Sequence, residues 1–172
     1  MNRIDIQSFK TPYGELLLGT CEEKLCLCDW RYRKMRTAID QRLVKHFEAE
    51  FVERDNPLLQ ETRRQLEEYF SATRTGFELP LLLAGSDFQR NVWNELLRVP
   101  YGATISYLQL AERIGNRKAV RAVASANGAN AISIIIPCHR VIGSNGELVG
   151  YAGGLRAKEK LLNLEQGVLT LW

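Results

Sequence analysis

Histidine is scarce in this chain: His46 and His139 are the two among 172 residues. Long apolar runs are missing. None approaches the ~20 residues that a membrane-spanning helix needs. The N-terminus, Met1-Asn2-Arg3-Ile4-Asp5, lacks the apolar stretch of a secretory signal. The chain is therefore expected to be intracellular and cytoplasmic, with no membrane partner. Cysteine is too thinly spread for a disulfide framework. Cys21, Cys26 and Cys28 crowd together and Cys138 stands alone. Cys26 and Cys28 alternate along an expected strand and point to opposite faces, so neither a bridge between them nor a shared ion is expected. Cys21, Cys26 and Cys28 with His46 do not follow a common zinc spacing, and no metal or other cofactor is predicted.

Charge is present in both signs but unevenly placed. Residues 1–82 hold thirteen Lys/Arg against fourteen Asp/Glu, a balance of −1. Residues 83–172 hold ten against six, a balance of +4. A basic half of this kind suits a polyanion partner.

The patterning divides at the same point. Ile4, Ile6 and Phe9 alternate as in a strand, Thr11-Pro12-Tyr13-Gly14 reads as a turn, and residues 15–19 and 24–30 extend an antiparallel meander. Ile39, Leu43 and Phe47 follow helical spacing, as do residues 58–70 after Asn56-Pro57. No catalytic motif stands out here, so residues 1–82 are expected to form a structural α/β lobe.

In residues 83–172, Ser86 is a good N-cap for a helix burying Phe88, Val92, Trp93 and Leu96. Ser106 caps a second helix with Leu108, Leu110, Ala111 and Ile114 inward. Gly115-Asn116 turns the chain into a third, running from Arg117 to Asn127-Gly128. This is the outline of a helix-turn-helix. Arg117, Arg121 and Ser125 lie four apart on one polar stripe. Residues 133–136 read as a buried strand ending at Pro137-Cys138. Asn145-Gly146 marks a turn. Gly150, Gly153 and Gly154 around Tyr151-Ala152 suggest close backbone approach. A final helix over 156–166 carries Leu161, Leu162 and Glu165.

The motif with chemistry is Ile136-Pro137-Cys138-His139-Arg140-Val141. A thiol reacts as its thiolate, of which an unassisted cysteine has only a few per cent at neutral pH, and a neighbouring histidine is the usual remedy.

From about Phe88 to Glu165 the chain resembles the methylated-DNA–protein-cysteine methyltransferases, the 6-O-alkylguanine-DNA alkyltransferases. The matching set includes Phe88-Gln89, Val92-Trp93, Pro100-Tyr101-Gly102, Ile105-Ser106-Tyr107, Arg121-Ala122-Val123, Asn130, the Cys138 motif, Gly150-Tyr151, Gly153-Gly154, Lys158 and Glu165. The resemblance implies a ribonuclease H-like N-terminal lobe with a small antiparallel sheet, and a mostly helical C-terminal lobe with a winged helix-turn-helix. It implies a single-use repair protein without a cofactor. Cys138 would take the alkyl group from the exocyclic oxygen of guanine, with alkylated thymine left open as a second substrate. His139, through a water, would accept the thiol proton, and Glu165 would hold the imidazole. Asn130 would brace the active-site loop, and Tyr107 would give a hydrogen bond to a ring nitrogen of the flipped base.

Val141, Tyr151, Ala152 and Ser133 fall at substrate-binding positions in the same comparison. Arg121 would wedge into the vacated base stack, with Ala122, Ala124, Ser125, Arg117 and Tyr107 also on DNA. The expected partner is double-stranded DNA, bound through its minor groove without sequence preference. The protein is expected to be a monomer, with cooperative binding along DNA left open. Ala131 stands where many family members have proline, and Arg117 where a proline is common. The alternatives are a helix-turn-helix lesion sensor or regulator, which leaves the Cys-His-Glu set unused, and a cysteine hydrolase, which leaves Arg121 without a purpose.

Overall fold

A computed structural model describes residues 1–168. Its contacts divide into two units, Met1–Gly85 and Ser86–Trp172.

The first unit is a four-stranded sheet in the order β3-β2-β1-β4 with two helices. β1 (Asn2–Thr11), β2 (Gly14–Cys21) and β3 (Lys24–Trp30) form the expected antiparallel meander. β1 and β2 run longer than the alternating residues suggest. β4 (Ala49–Glu53) follows α1 (Arg36–Phe47) and pairs parallel to β1, which the sequence did not foreshadow. Its Ala-Glu-Phe-Val-Glu is too short and too acidic to stand out as a strand.

β3 is buried along nearly its whole length, on both faces. Cys26 and Cys28, although successive same-parity positions, are both covered and both free thiols, as is Cys21. Residues two apart on a regular strand share a face, so the opposite-face expectation misapplies strand alternation; the ladder is also irregular here, with Leu27 paired to Gly19 and Leu25 to Thr20, and Cys26 between them. Burial pushes both thiols strongly up. Among the described residues no group of three or more His, Cys, Asp or Glu could hold a metal ion. α2 (Pro57–Phe70) starts at Asn56, whose side chain accepts from the Leu59 amide and also donates to Asp5 and Thr20. Leu59, Leu66 and Tyr69 form its fully buried stripe.

In the second unit, α3 (Asp87–Leu96) and α4 (Tyr107–Arg113) each begin with a complete capping box, Ser86 with Gln89 and Ser106 with Gln109. Each cap serine stabilises its helix by about 1 kcal/mol. Val92, Trp93 and Leu96 are buried, while Phe88 is only half-buried. Gly115 turns the chain at φ +81°, a conformation that a side chain resists. One 3-10 turn then leads into α5 (Val120–Gly128). Trp93 Nε1 donates to the Ala126 carbonyl at 2.8 Å, tying α3 to the end of α5. β5 (Ile105–Ser106) pairs parallel with β6 (Val141–Ile142), and α6 (Leu155–Gln166) closes the unit.

One local expectation fails. Residues 133–136 are buried but turn instead of extending. The Ile135 amide bonds to Ser133, that of Ile136 to Ile132 and that of Cys138 to Ile136, with Ile134 at φ +73°. The isoleucine run has strand propensity, but local bonds within the loop satisfy its backbone. Within the chain, Gly150 and Gly154 meet no close neighbour, since a Cβ on either would find nothing within 4 Å. Both have positive φ, +55° and +90°, and that is what favours glycine there.

Candidate active site

Cys138 lies in a 3-10 turn, Cys138–Arg140, and is 3% exposed. The loop before it is held by Asn130, itself 1% exposed. The Asn130 Nδ2 donates to the carbonyls of Ile136 at 2.9 Å and Ile132 at 3.3 Å, and its Oδ1 accepts from the Ile132 amide at 2.9 Å. One side chain therefore fixes both ends of the turn that presents the thiol.

His139 is fully buried, with Nε2 2.6 Å from Glu165 Oε2 on α6. Its other nitrogen, Nδ1, has no hydrogen-bond partner. Arg140 meets the same carboxylate, Nε to Oε1 at 2.8 Å and Nη2 to Oε2 at 3.0 Å, and donates Nη1 to the Val99 carbonyl at 2.7 Å. Burial lowers the pKa of His139, and the Glu165 hydrogen bond and charge only partly oppose it. Burial works against ionising Glu165 too, but His139 and Arg140 outweigh it and hold the carboxyl well below its ordinary value. The resulting state is a carboxylate already matched by Arg140, beside a neutral imidazole. In it Nε2 carries the hydrogen toward Glu165, and Nδ1 keeps its lone pair.

Tyr107, the first residue of α4, donates its hydroxyl to the Val149 carbonyl at 2.9 Å. Burial first, then the proximity of Cys138, raises its pKa, so it keeps its proton at neutral pH. Val141 is fully buried, and Tyr151 sets its ring 6.4 Å from that of His139, edge on. Ser133 is fully buried and Ala152 half-buried. Of the expected DNA residues, Tyr107 belongs to this cluster. Arg121, Ala122 and Ser125 are exposed on α5 and Ala124 is half-buried. Arg117 is exposed just before the helix, 3.7 Å from Glu112.

Three residues at the site were given no role from sequence. Arg140 is the second clamp on Glu165. Lys158 is fully buried and donates Nζ to the carbonyls of Val141 at 2.6 Å, Val149 at 3.1 Å and Gly150 at 3.2 Å. Burial draws its pKa down to about 8. Asn127 is 7% exposed and donates Nδ2 to the Cys138 carbonyl at 3.3 Å. A signal for Lys158 was available. With Leu161, Leu162 and Glu165 it lies at i, i+3, i+4 and i+7 on α6, so two charges sit on an otherwise apolar stripe.

Fold and site define a class: an α/β unit followed by a helix-turn-helix unit that buries a cysteine beside a histidine–carboxylate pair. Residues 6–83 match the family 6-O-methylguanine DNA methyltransferase, ribonuclease-like domain, and residues 87–167 match its DNA binding domain. The chain belongs to the methylated-DNA–protein-cysteine methyltransferases. It is 43% identical to the member from Methanosarcina acetivorans over 91% of this chain and 95% of that one. It is 49% identical to the one from Mycobacterium leprae over 95% and 93%. The crystal structure of Mycobacterium tuberculosis O6-methylguanine methyltransferase superposes with a TM-score of 0.79 at 36% identity, over 97% of this chain and 95% of that one. The same mycobacterial protein in complex with DNA also superposes with a TM-score of 0.79.

Proposed function

We propose that this protein repairs DNA by moving an alkyl group, in the first instance methyl, from the exocyclic oxygen of 6-O-alkylguanine onto Cys138. The observation that carries the reading is the buried 2.6 Å contact between His139 and Glu165, directly after the cysteine in sequence. The neutral imidazole with an unpartnered Nδ1 is a base waiting for a proton. A water between that nitrogen and the thiol would carry it. Cys138 Sγ attacks the alkyl carbon, the S–C bond forms as the C–O bond breaks, and the electron pair passes to the guanine. Tyr107 turns its hydroxyl from Val149 to a ring nitrogen, so that the leaving base is stabilised as charge develops. The product is a thioether with no step to reverse it, and each molecule acts once.

The target atom is inside the duplex, so the base must be flipped out, at a cost of a few kcal/mol. Arg121, exposed on α5 among small residues, is suited to fill the gap in the stack. Ala122, Ala124 and Ser125 let α5 lie close to the minor groove, Arg117 adds a phosphate contact, and no base sequence is read. Val141, Tyr151, Ala152 and Ser133 form the base pocket, with Asn130 holding the loop. The protein works as a monomer in the cytoplasm. No helix among the described residues is long and apolar enough to cross a membrane.

The test is to incubate the protein with DNA carrying one 6-O-methylguanine and measure its intact mass. A gain of one methyl, absent in Cys138→Ala, is the expected result. Binding without mass gain overturns the reading in favour of a lesion sensor.

A further inference from the structure

We propose that Arg140 is a positioning residue for the alkyl transfer: by sharing the Glu165 carboxylate with His139, it keeps the imidazole neutral until the thiol gives up its proton. The inference rests on the functional reading above and adds a residue to its proton relay. Arg140 acts through Glu165 and His139 rather than on the base.

Two donors meet on one oxygen. Glu165 Oε2 faces His139 Nε2 at 2.6 Å and accepts from Arg140 Nη2 at 3.0 Å, while Arg140 Nε donates to Oε1 at 2.8 Å. The guanidinium thus grips both carboxylate oxygens with a planar fork that lysine lacks. It is itself pinned. Nη1 donates to the Val99 carbonyl at 2.7 Å, and the Tyr101 ring centroid lies 5.7 Å from the guanidinium carbon. Gly102 continues the same loop at φ +81°, where a Cβ would meet the Glu165 carbonyl oxygen at 3.2 Å. The Pro100-Tyr101-Gly102 motif, which the transfer itself leaves without a task, therefore holds the arginine and the backbone of its carboxylate together.

A carboxylate alone against a buried imidazole draws a proton onto it. Nδ1 would then have no lone pair for the thiol proton. With Arg140 in place, the anion is matched before the imidazole is charged. The groups facing His139 are Glu165 and Lys158 from α6, Arg140 and Cys138 from its own turn, and the Tyr151 ring from the loop before α6. Burial is the largest cause lowering the pKa of His139, Glu165 opposes it, and the charges of Arg140 and Lys158 add to burial. Lys158 is engaged by three backbone carbonyls, whereas Arg140 also engages the carboxylate. Glu165 supports the imidazolium at the moment of transfer, and Arg140 prevents it from forming beforehand.

The experiment follows methyl uptake from duplex DNA carrying 6-O-methylguanine as a function of pH. In parallel, His139 is titrated by NMR in protein labelled with 15N-histidine, the His46 signal being removed by His46→Gln. Arg140→Gln keeps an N–H donor and loses the charge. Loss of a nearby positive charge raises the pKa of both Cys138 and His139, so the acid limb of their coupled titration moves up. A rise of about one pH unit is expected, with uptake on the limb about tenfold slower and recovering as the pH is raised. The His139 titration is expected to rise with it. Arg140→Lys keeps a charge but loses the fork, and is expected to shift both in the same direction by less; it serves if the glutamine variant does not fold. A rate loss equal at every pH, or an unmoved His139 titration in the variant that folds, would overturn the inference. Failure of the unaltered protein to take methyl would instead overturn the functional reading, and the His139 titration would still judge the role of Arg140.

Discussion

Each unit of this protein buries a carboxylate against arginine, and the two clusters are built for different ends. In the first, Asp29 is fully buried on β3, 3.1 Å from Arg33 and 2.9 Å from Arg36. Its partners are guanidiniums, which do not give up protons at any ordinary pH. In the second, Glu165 is held by Arg140 at 2.8 Å and by His139 at 2.6 Å. One partner again fixes the charge. The other can gain or lose a proton, and it follows the cysteine directly in sequence. The thiols differ in the same way: Cys26 and Cys28 are covered by sheet and helix, while Cys138 sits at a turn with the imidazole beside it. A buried ion pair alone is therefore no sign of a reactive site. What separates the two is a titratable member within reach of a nucleophile.

The sharpest break of that contrast is at the thiols. Cys138→Ala is expected to abolish methyl uptake, whereas Cys28→Ala, which removes a buried sulfur, lowers stability by about 1–2 kcal/mol and leaves uptake per folded molecule unchanged. Intact mass and a thermal melt read the two effects. Next are the carboxylates. Glu165→Gln is expected to slow uptake about a hundredfold, because the imidazole loses the anion that supports its protonated form. Asp29→Asn is expected to cost about 3–5 kcal/mol of stability by leaving buried guanidiniums unmatched, with no change in the rate per folded molecule. Equal rate losses in both variants would erase the distinction. Arg121→Ala probes the DNA face. Uptake from duplex DNA should fall about tenfold or more, while reaction with the free methylated base is unaffected.

A weaker effect follows from the two histidines. The folded pKa of His139 lies below its ordinary value because of burial. Below pH ~6.5 the unfolded state takes up this proton and the folded state does not, so stability falls with pH until the lowered folded value is passed. In the acid range where folded His139 finally takes the proton, Nδ1 loses its lone pair and uptake slows. His46, exposed on α1, should contribute nothing to that acid limb, and His46→Gln should leave the pH–rate profile unchanged. The smallest expected change is in the spent protein. A methyl on Cys138, in a site only 3% exposed, should lower the melting temperature by a few degrees through crowding.

Much of this was readable in advance because it is local. Ser86 and Ser106 cap their helices through residues three positions away, and Gly115 bends between helices on its own backbone freedom. The adjacency of Cys138 and His139 is written in the chain. The approach of Glu165, 26 residues on, is visible only through family resemblance until α6 packs against the Cys138 turn. The remainder depends on partners distant in sequence. β4 is a strand because β1 offers it a parallel edge. Residues 133–136 turn because Asn130 and their own amides satisfy the backbone, against the propensity of three isoleucines. Lys158 acquires its place only when the carbonyls of Val141, Val149 and Gly150 converge on it.

The most direct test of the central claim is a titration with excess DNA carrying 6-O-methylguanine, followed by peptide mapping of the protein. The expected result is one guanine restored per protein chain, with a single methyl on the peptide containing Cys138. Repeated turnover, or a methyl on Cys21, Cys26 or Cys28, would contradict the account.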